Sequence, residues 1–145
     1  MPISQNVRFT ATVPLDAEFE HPPGAALIRR LSSELGKAGW KTDEMDNWRD
    51  CGWSIVCRRD SAELEVAVIL VNRGYWILQI NPWRRPGLIG RLFGTKLSAS
   101  ATDVHELALA VHRGLSTLHY LGSPQWRWDA FPDEHHSTPE PQPAR

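Results

Sequence analysis

Residues 53–80 read WSIVCRRDSAELEVAVILVNRGYWILQI, and the fold turns on how this stretch is divided. Three β-rich runs, Trp53 to Arg59, Ala62 to Val71 and Tyr75 to Ile80, are separated by Asp60-Ser61 and by Asn72-Arg73-Gly74, both suited to tight hairpin turns. The spacing predicts an antiparallel meander. In its middle strand Leu64, Val66, Val68 and Leu70 fall on one face, and Glu63, Glu65, Ala67, Ile69 and Val71 on the other, because strand side chains alternate. The end bearing the two glutamates is expected to meet water and the other end to be covered on both faces.

Upstream, Val7, Phe9, Ala11 and Val13 alternate with Arg8, Thr10 and Thr12, which predicts a first strand that Pro14 ends or holds at a sheet edge. His21-Pro22-Pro23-Gly24 then breaks the chain and opens a helix, whose stripe is Leu27, Ile28, Leu31, Leu35 and Ala38. Gly39 supplies its left-handed cap, and Trp40 is expected to fold back on the last turn. The stretch from Lys41 to Cys51, with Asp43, Glu44, Asp46 and Asp50 around Trp48, reads as an acidic loop.

Downstream, Asn81-Pro82 closes the meander, since proline cannot donate to a ladder. Three glycines and a proline between Trp83 and Lys96 argue against a long helix. A second helix is expected from Thr102, as N-cap, to about Tyr120, with Val104, Leu107, Ala108, Val111, Leu115 and Leu118 on its core face. Trp126, Trp128 and Phe131 are expected to dock on the domain. The reading places one domain in residues 1–131 and a disordered, Pro-rich acidic tail in 132–145, which is too poor in apolar groups to pack. On that reading truncation after His136 leaves the melting temperature nearly unchanged, whereas removal from Gln125 onward destabilises.

The net charge of -1 is unevenly spread: residues 1–65 carry eight bases and eleven acids, 66–128 seven and two, and 129–145 one and four. The second half of the folded part is thus cationic and the tail anionic, which matters more for partner choice than the total. No stretch reaches the roughly 18 apolar residues of a membrane span, and the first residues lack a basic-then-apolar leader. Cys51 and Cys57, if on one extended strand, lie about 20 Å apart, beyond the roughly 7 Å limit of a disulfide. Two free thiols suit a reducing compartment, and a cytoplasmic location is expected.

Catalytic signatures are sparse. There is no Gly-x-Ser-x-Gly, no phosphate-binding glycine loop and no His-Glu-x-x-His. His105, His112 and His119 recur every seven residues, but on a helix successive members would be about 10.5 Å apart, too far to share a metal. They read as residues of a solvent boundary. Asp133-Glu134-His135-His136 has ligand residue types without a matching pair elsewhere, so neither metal nor cofactor is implied.

The segment from Trp83 to Lys96 carries four bases, no acids and five large apolar residues, a composition that attracts an anionic or acidic partner while its aromatics bury. The candidate binding residues are therefore Trp83, Arg84, Arg85, Arg91, Phe93 and Lys96, with Trp48 in the complementary acidic loop. The alternative is a loop covering the sheet with its arginines solvated.

The order of elements implies an α+β fold: a mostly antiparallel sheet, built from the three-stranded meander and an N-terminal edge strand, with two helices on one face. Its layout is similar to that of small bacterial immunity proteins and secretion chaperones, an analogy of architecture that licenses no function by itself. The first expectation is a non-catalytic protein-binding module of inhibitor or immunity type, with another protein as partner. An anion or single-stranded nucleic-acid binder through Trp83 to Lys96 comes second, weakened by a pI near 6.6. A hydrolase whose residues meet only on folding comes third.

Overall fold

The computed structural model describes residues 3–12, 21–71, 75–83, 99–120 and 122–145. The meander forms as the hairpin signals dictate: β5 (Gly52–Arg59), β6 (Ala62–Val71) and β7 (Tyr75–Pro82) pair antiparallel, with Arg59 opposite Ala62 and Val71 opposite Tyr75. Asp60 takes φ 54°, the left-handed conformation that a two-residue hairpin loop requires.

Further strands extend this meander on both sides. β1 (Gln5–Phe9) pairs with β7 and, on its other edge, with β9 (Gln125–Trp128). β3 (Lys41–Thr42) and β4 (Asp46–Trp48) both lie along β5. The result is a seven-stranded antiparallel sheet in the order β3-β5-β6-β7-β1-β9, with β4 beside β3 on the β5 edge. β2 (Ala11–Thr12) and β8 (His119–Tyr120) form a separate pair.

Three readings of the sequence are corrected here. The first strand is internal, because the aromatic run Gln125–Trp128 pairs along the edge that the sequence left open. The acidic loop contains two short strands, β3 and β4, which gain backbone partners from β5 despite their charged side chains. The second helix, α2 (Ala101–Leu115), is capped by Ser100 and not Thr102. Its Ser100 hydroxyl accepts from the Asp103 N–H at 3.2 Å while the Asp103 carboxylate accepts from the Ser100 N–H at 2.9 Å, a reciprocal capping box. It ends at Leu115, before the backbone of His119 and Tyr120 joins β2.

Helix α1 (Ala25–Lys37) buries Leu27, Ile28, Leu31 and Leu35, the stripe its spacing predicts. The N–H of Trp40 returns to the Leu35 carbonyl at 3.0 Å, Gly39 takes φ +93°, and Trp40 is buried. Both helices pack on the same face of the sheet, α1 over β5 and α2 over β7 and β1, and they touch each other. One hydrophobic cluster joins them to Val7, Phe9, Ile55, Leu64, Val66, Val68, Leu78 and Ile80, the strand positions facing the helices. No helix among the described residues is long and apolar enough to cross a membrane.

The segment 132–145, expected to be disordered, instead lies along the outer edge of β9. Trp126 and Thr138 exchange backbone hydrogen bonds at 2.7 and 3.0 Å, and Pro141 is buried. The Gln142 carbonyl accepts from Gln5 Nε2 at 3.0 Å and from Trp128 Nε1 at 2.8 Å. Low hydrophobicity did not leave the segment without partners, because the open edge of β9 and the side-chain donors of Gln5 and Trp128 offered it polar ones. Truncation after His136 is therefore expected to lower stability by about 1–3 kcal/mol, the sum of a few net hydrogen bonds, in urea titrations of the two chains.

Candidate functional site

Because Leu64 and Val66 face the helices, Glu65 between them faces away, with Asn81 opposite it on β7 and Gln79 one step along. Neither described helix packs on this side. Here lies a cleft of about 540 Å³, with Glu65, Gln79 and Asn81 among its polar residues and Trp48, Trp83 and Phe131 as its aromatic ones.

Each aromatic is held by local structure. Trp48 ends β4 opposite Gly52, and the chain reverses through Arg49 and Asp50, both at positive φ. Asn47 Oδ1 accepts from the Asp50 N–H at 2.8 Å and the Trp48 carbonyl from the Cys51 N–H at 3.1 Å, so the hairpin places the indole over the sheet. Trp83 extends β7 by one hydrogen bond, from its N–H to the Glu63 carbonyl at 2.9 Å. Phe131 follows a turn at Asp129, whose carboxylate accepts from the N–H groups of Ile3 and Ser4 at 2.8 and 2.9 Å. That clasp brings Ile3 into the cleft as well. Phe131 remains 53 % exposed, where the sequence expected it to dock like Trp126, which is 1 % exposed.

Guanidinium groups lie against these rings. Arg49 sits 5.0 Å from the Trp48 centroid and Arg58 6.0 Å from that of Trp83. Arg58 is also tied to Glu63 at 3.2 Å and to Asp43. Burial raises the Glu65 carboxyl above its ordinary range; the polar edge of the Trp48 indole and the charge of Arg49 pull the other way, and Asp46 adds to the rise. Arg49 itself is exposed and makes no ion pair with Glu65 among the described residues.

The two candidate binding residues that fall in the described part, Trp48 and Trp83, thus come together in one cleft, although 35 positions separate them. Arg84, Arg85, Arg91, Phe93 and Lys96 lie outside the described residues. Sequence reasoning missed Phe131, Gln79, Asn81 and Glu65 as neighbours of Trp48. Only the alternation of β6, which turns Glu65 away from the helices, carried a signal.

Among the described lining residues of the cleft there is no Ser, Thr, Cys or His and no second carboxylate, so Glu65 has neither a nucleophile to activate nor an acid–base partner. No group of three or more His, Cys, Asp or Glu among the described residues is placed to hold a metal ion. Cys51 is exposed and Cys57 buried, with the Cys57 thiol pushed up to about 12 chiefly by burial.

The histidine series is dispersed. His119 belongs to β8, while His105 and His112 remain on α2. His112 Nδ1 accepts from Trp126 Nε1 at 3.1 Å, and burial lowers the pKa of both His112 and His105 below the ordinary 6.5. A histidine held neutral by the fold contributes fully above the unfolded value, and that contribution is lost as pH falls through the lower folded one. Glu65, shifted upward, acts with the opposite sign at lower pH. Stability is therefore expected to decline as pH drops below about 6.5, in denaturant titrations across pH 5–8, and His112→Gln is expected to flatten that decline.

The fold and cleft define an α+β sandwich with helices on one face of the sheet and an aromatic-lined cleft on the other. Compared with known proteins, the chain matches no family model, no curated protein and no solved structure.

Proposed function

We propose that the protein is a non-catalytic protein-binding module, of inhibitor or immunity type, and that it engages another protein through the cleft walled by Trp48, Trp83 and Phe131. The observation that carries this reading is the concentration of aromatic side chains, one of them more than half exposed, around the polar strand residues Glu65, Gln79 and Asn81. Interfaces concentrate their energy in a few large aromatic and arginine anchors set among polar neighbours. A reducing, cytoplasmic setting is part of the proposal, supported by the two unpaired cysteines.

The test is capture by the tagged full-length chain from the cells that make it, followed by binding measurements with the partner recovered. A stoichiometric protein is expected, and Trp48→Ala and Phe131→Ala are each expected to weaken it at least about tenfold, the effect of losing one anchor. Circular dichroism and melting temperature should stay close to wild type. Undiminished binding by both variants would move the interface elsewhere, with Arg84, Arg85 and Arg91 next to be replaced by glutamate. Oligonucleotide binding that weakens steeply with salt would support the nucleic-acid reading instead, because phosphate contacts release counterions.

A further inference from the structure

Glu65 is the one carboxylate among the described lining residues of the cleft. It is half-buried in the middle of a strand, and a carboxylate offers about four acceptor sites. The Trp48 indole lines the cleft beside it. Arg49 lies over the Trp48 ring at the exposed rim, and among the described residues it forms no ion pair with Glu65. Among the described residues no cation forms an ion pair with this half-buried carboxylate, so a cationic ligand suits it by charge complementarity.

Three properties of the surroundings specify that ligand. The carboxylate of the cleft is negative, so its complement is a cation. The walls are indole and phenyl rings, whose faces attract cations electrostatically. This chain already places guanidinium groups against its own aromatic rings: Arg49 on Trp48, Arg58 on Trp83, Arg59 on Trp40 at 4.2 Å and Arg8 on Tyr75 at 3.9 Å. A planar guanidinium both stacks on a ring and pairs bidentately with a carboxylate, whereas a lysine ammonium does only part of this. The amides of Gln79 and Asn81 are left to meet the partner's backbone.

We propose that the cleft is a receptor for an arginine side chain of the partner protein, seated with its guanidinium on the Glu65 carboxylate and against the Trp48 ring. The inference rests on the binding reading above and specifies the partner's chemistry. Glu65 then acts as the specificity group and the aromatic walls as the anchor.

The test uses the full chain and three blocked tripeptides, acetyl-Gly-Xaa-Gly-amide, with arginine, lysine or the uncharged isostere citrulline at the centre. The Trp48 indole resonance reports occupancy. The arginine peptide is expected to shift it saturably with a Kd in the millimolar range, about what a single side chain supplies. Binding should be at least about tenfold weaker for the citrulline peptide and for Glu65→Gln with the arginine peptide, the loss of one charge-assisted pair. Glu65→Gln should melt at or above the wild-type temperature, because it removes a half-buried charge at nearly the same side-chain volume.

Citrulline or lysine binding equal to arginine, no saturable shift, or full binding by Glu65→Gln would each overturn the proposal. The peptide arms require no variant to fold. If they fail while Trp48→Ala and Phe131→Ala still abolish capture of the partner, the interface stands and only the arginine assignment falls.

Discussion

Replacing Trp126 with alanine is expected to cost about 3–5 kcal/mol, the range for truncating a large buried aromatic. Trp126 is 1 % exposed and stands on β9 opposite Val7, on the side of the sheet that faces the helices. Its ring meets that of His112 edge-on, with centroids 5.9 Å apart, and its Nε1 donates to His112 Nδ1. Its backbone holds both β1 and Thr138, so loosening it also releases the tail. Urea titrations should show the full loss in Trp126→Ala. Trp126→Phe should lose only about 1–3 kcal/mol, since it keeps most of the packing and leaves the half-buried His112 acceptor unsatisfied. Equal losses in the two variants would mean that the hydrogen bond outweighs the packing.

Gly52→Ala is expected to reach or exceed the roughly 1–3 kcal/mol typical of overpacking. A Cβ at this position would lie 2.0 Å from the Val68 carbonyl oxygen and 2.7 Å from Ile69 Cγ2. The first of these is backbone within the β5–β6 ladder and has no free direction in which to retreat. Relief requires displacing the start of β5, and with it the hairpin that carries Trp48, so partner binding should fall together with stability. Gly36 is the control. It is exposed near the end of α1 with nothing within 4 Å of a built Cβ, and Gly36→Ala should stabilise by about 0.5–1 kcal/mol through helix propensity and chain entropy. Opposite signs for the same chemical change separate steric exclusion from propensity in one pair of melts.

Much of the fold was legible where local signals are strong. The meander followed from alternation and from turn residues at Asp60-Ser61, and α1 from an apolar stripe bounded by Pro22-Pro23-Gly24 and Gly39. The Ser100 cap was misjudged by two residues because Ser100, Thr102 and Asp103 are all capping types, and only the reciprocal bond with Asp103 distinguishes them. β3, β4, β8 and β9 were not legible. Strands of two to four residues hold too little pattern to stand above background, and their backbone partners lie far away in sequence.

The same distinction governs the candidate site. Trp48 and Trp83 drew attention as aromatics in charged, irregular stretches, and no periodicity joined them to each other or to Phe131. What the sequence by itself determined is the set of faces: alternation in β6 puts Leu64 and Val66 on one side and Glu65 on the other, whatever the strand packs against. Tertiary structure alone decided which side the helices cover and which residues surround the side left to Glu65. It also decided that the tail runs along β9. The physical reason is that alternation is a property of the single strand, whereas a cleft and an edge pairing depend on where distant segments come to rest. Those positions are set by burial and by the hydrogen bonds still open once the meander has formed.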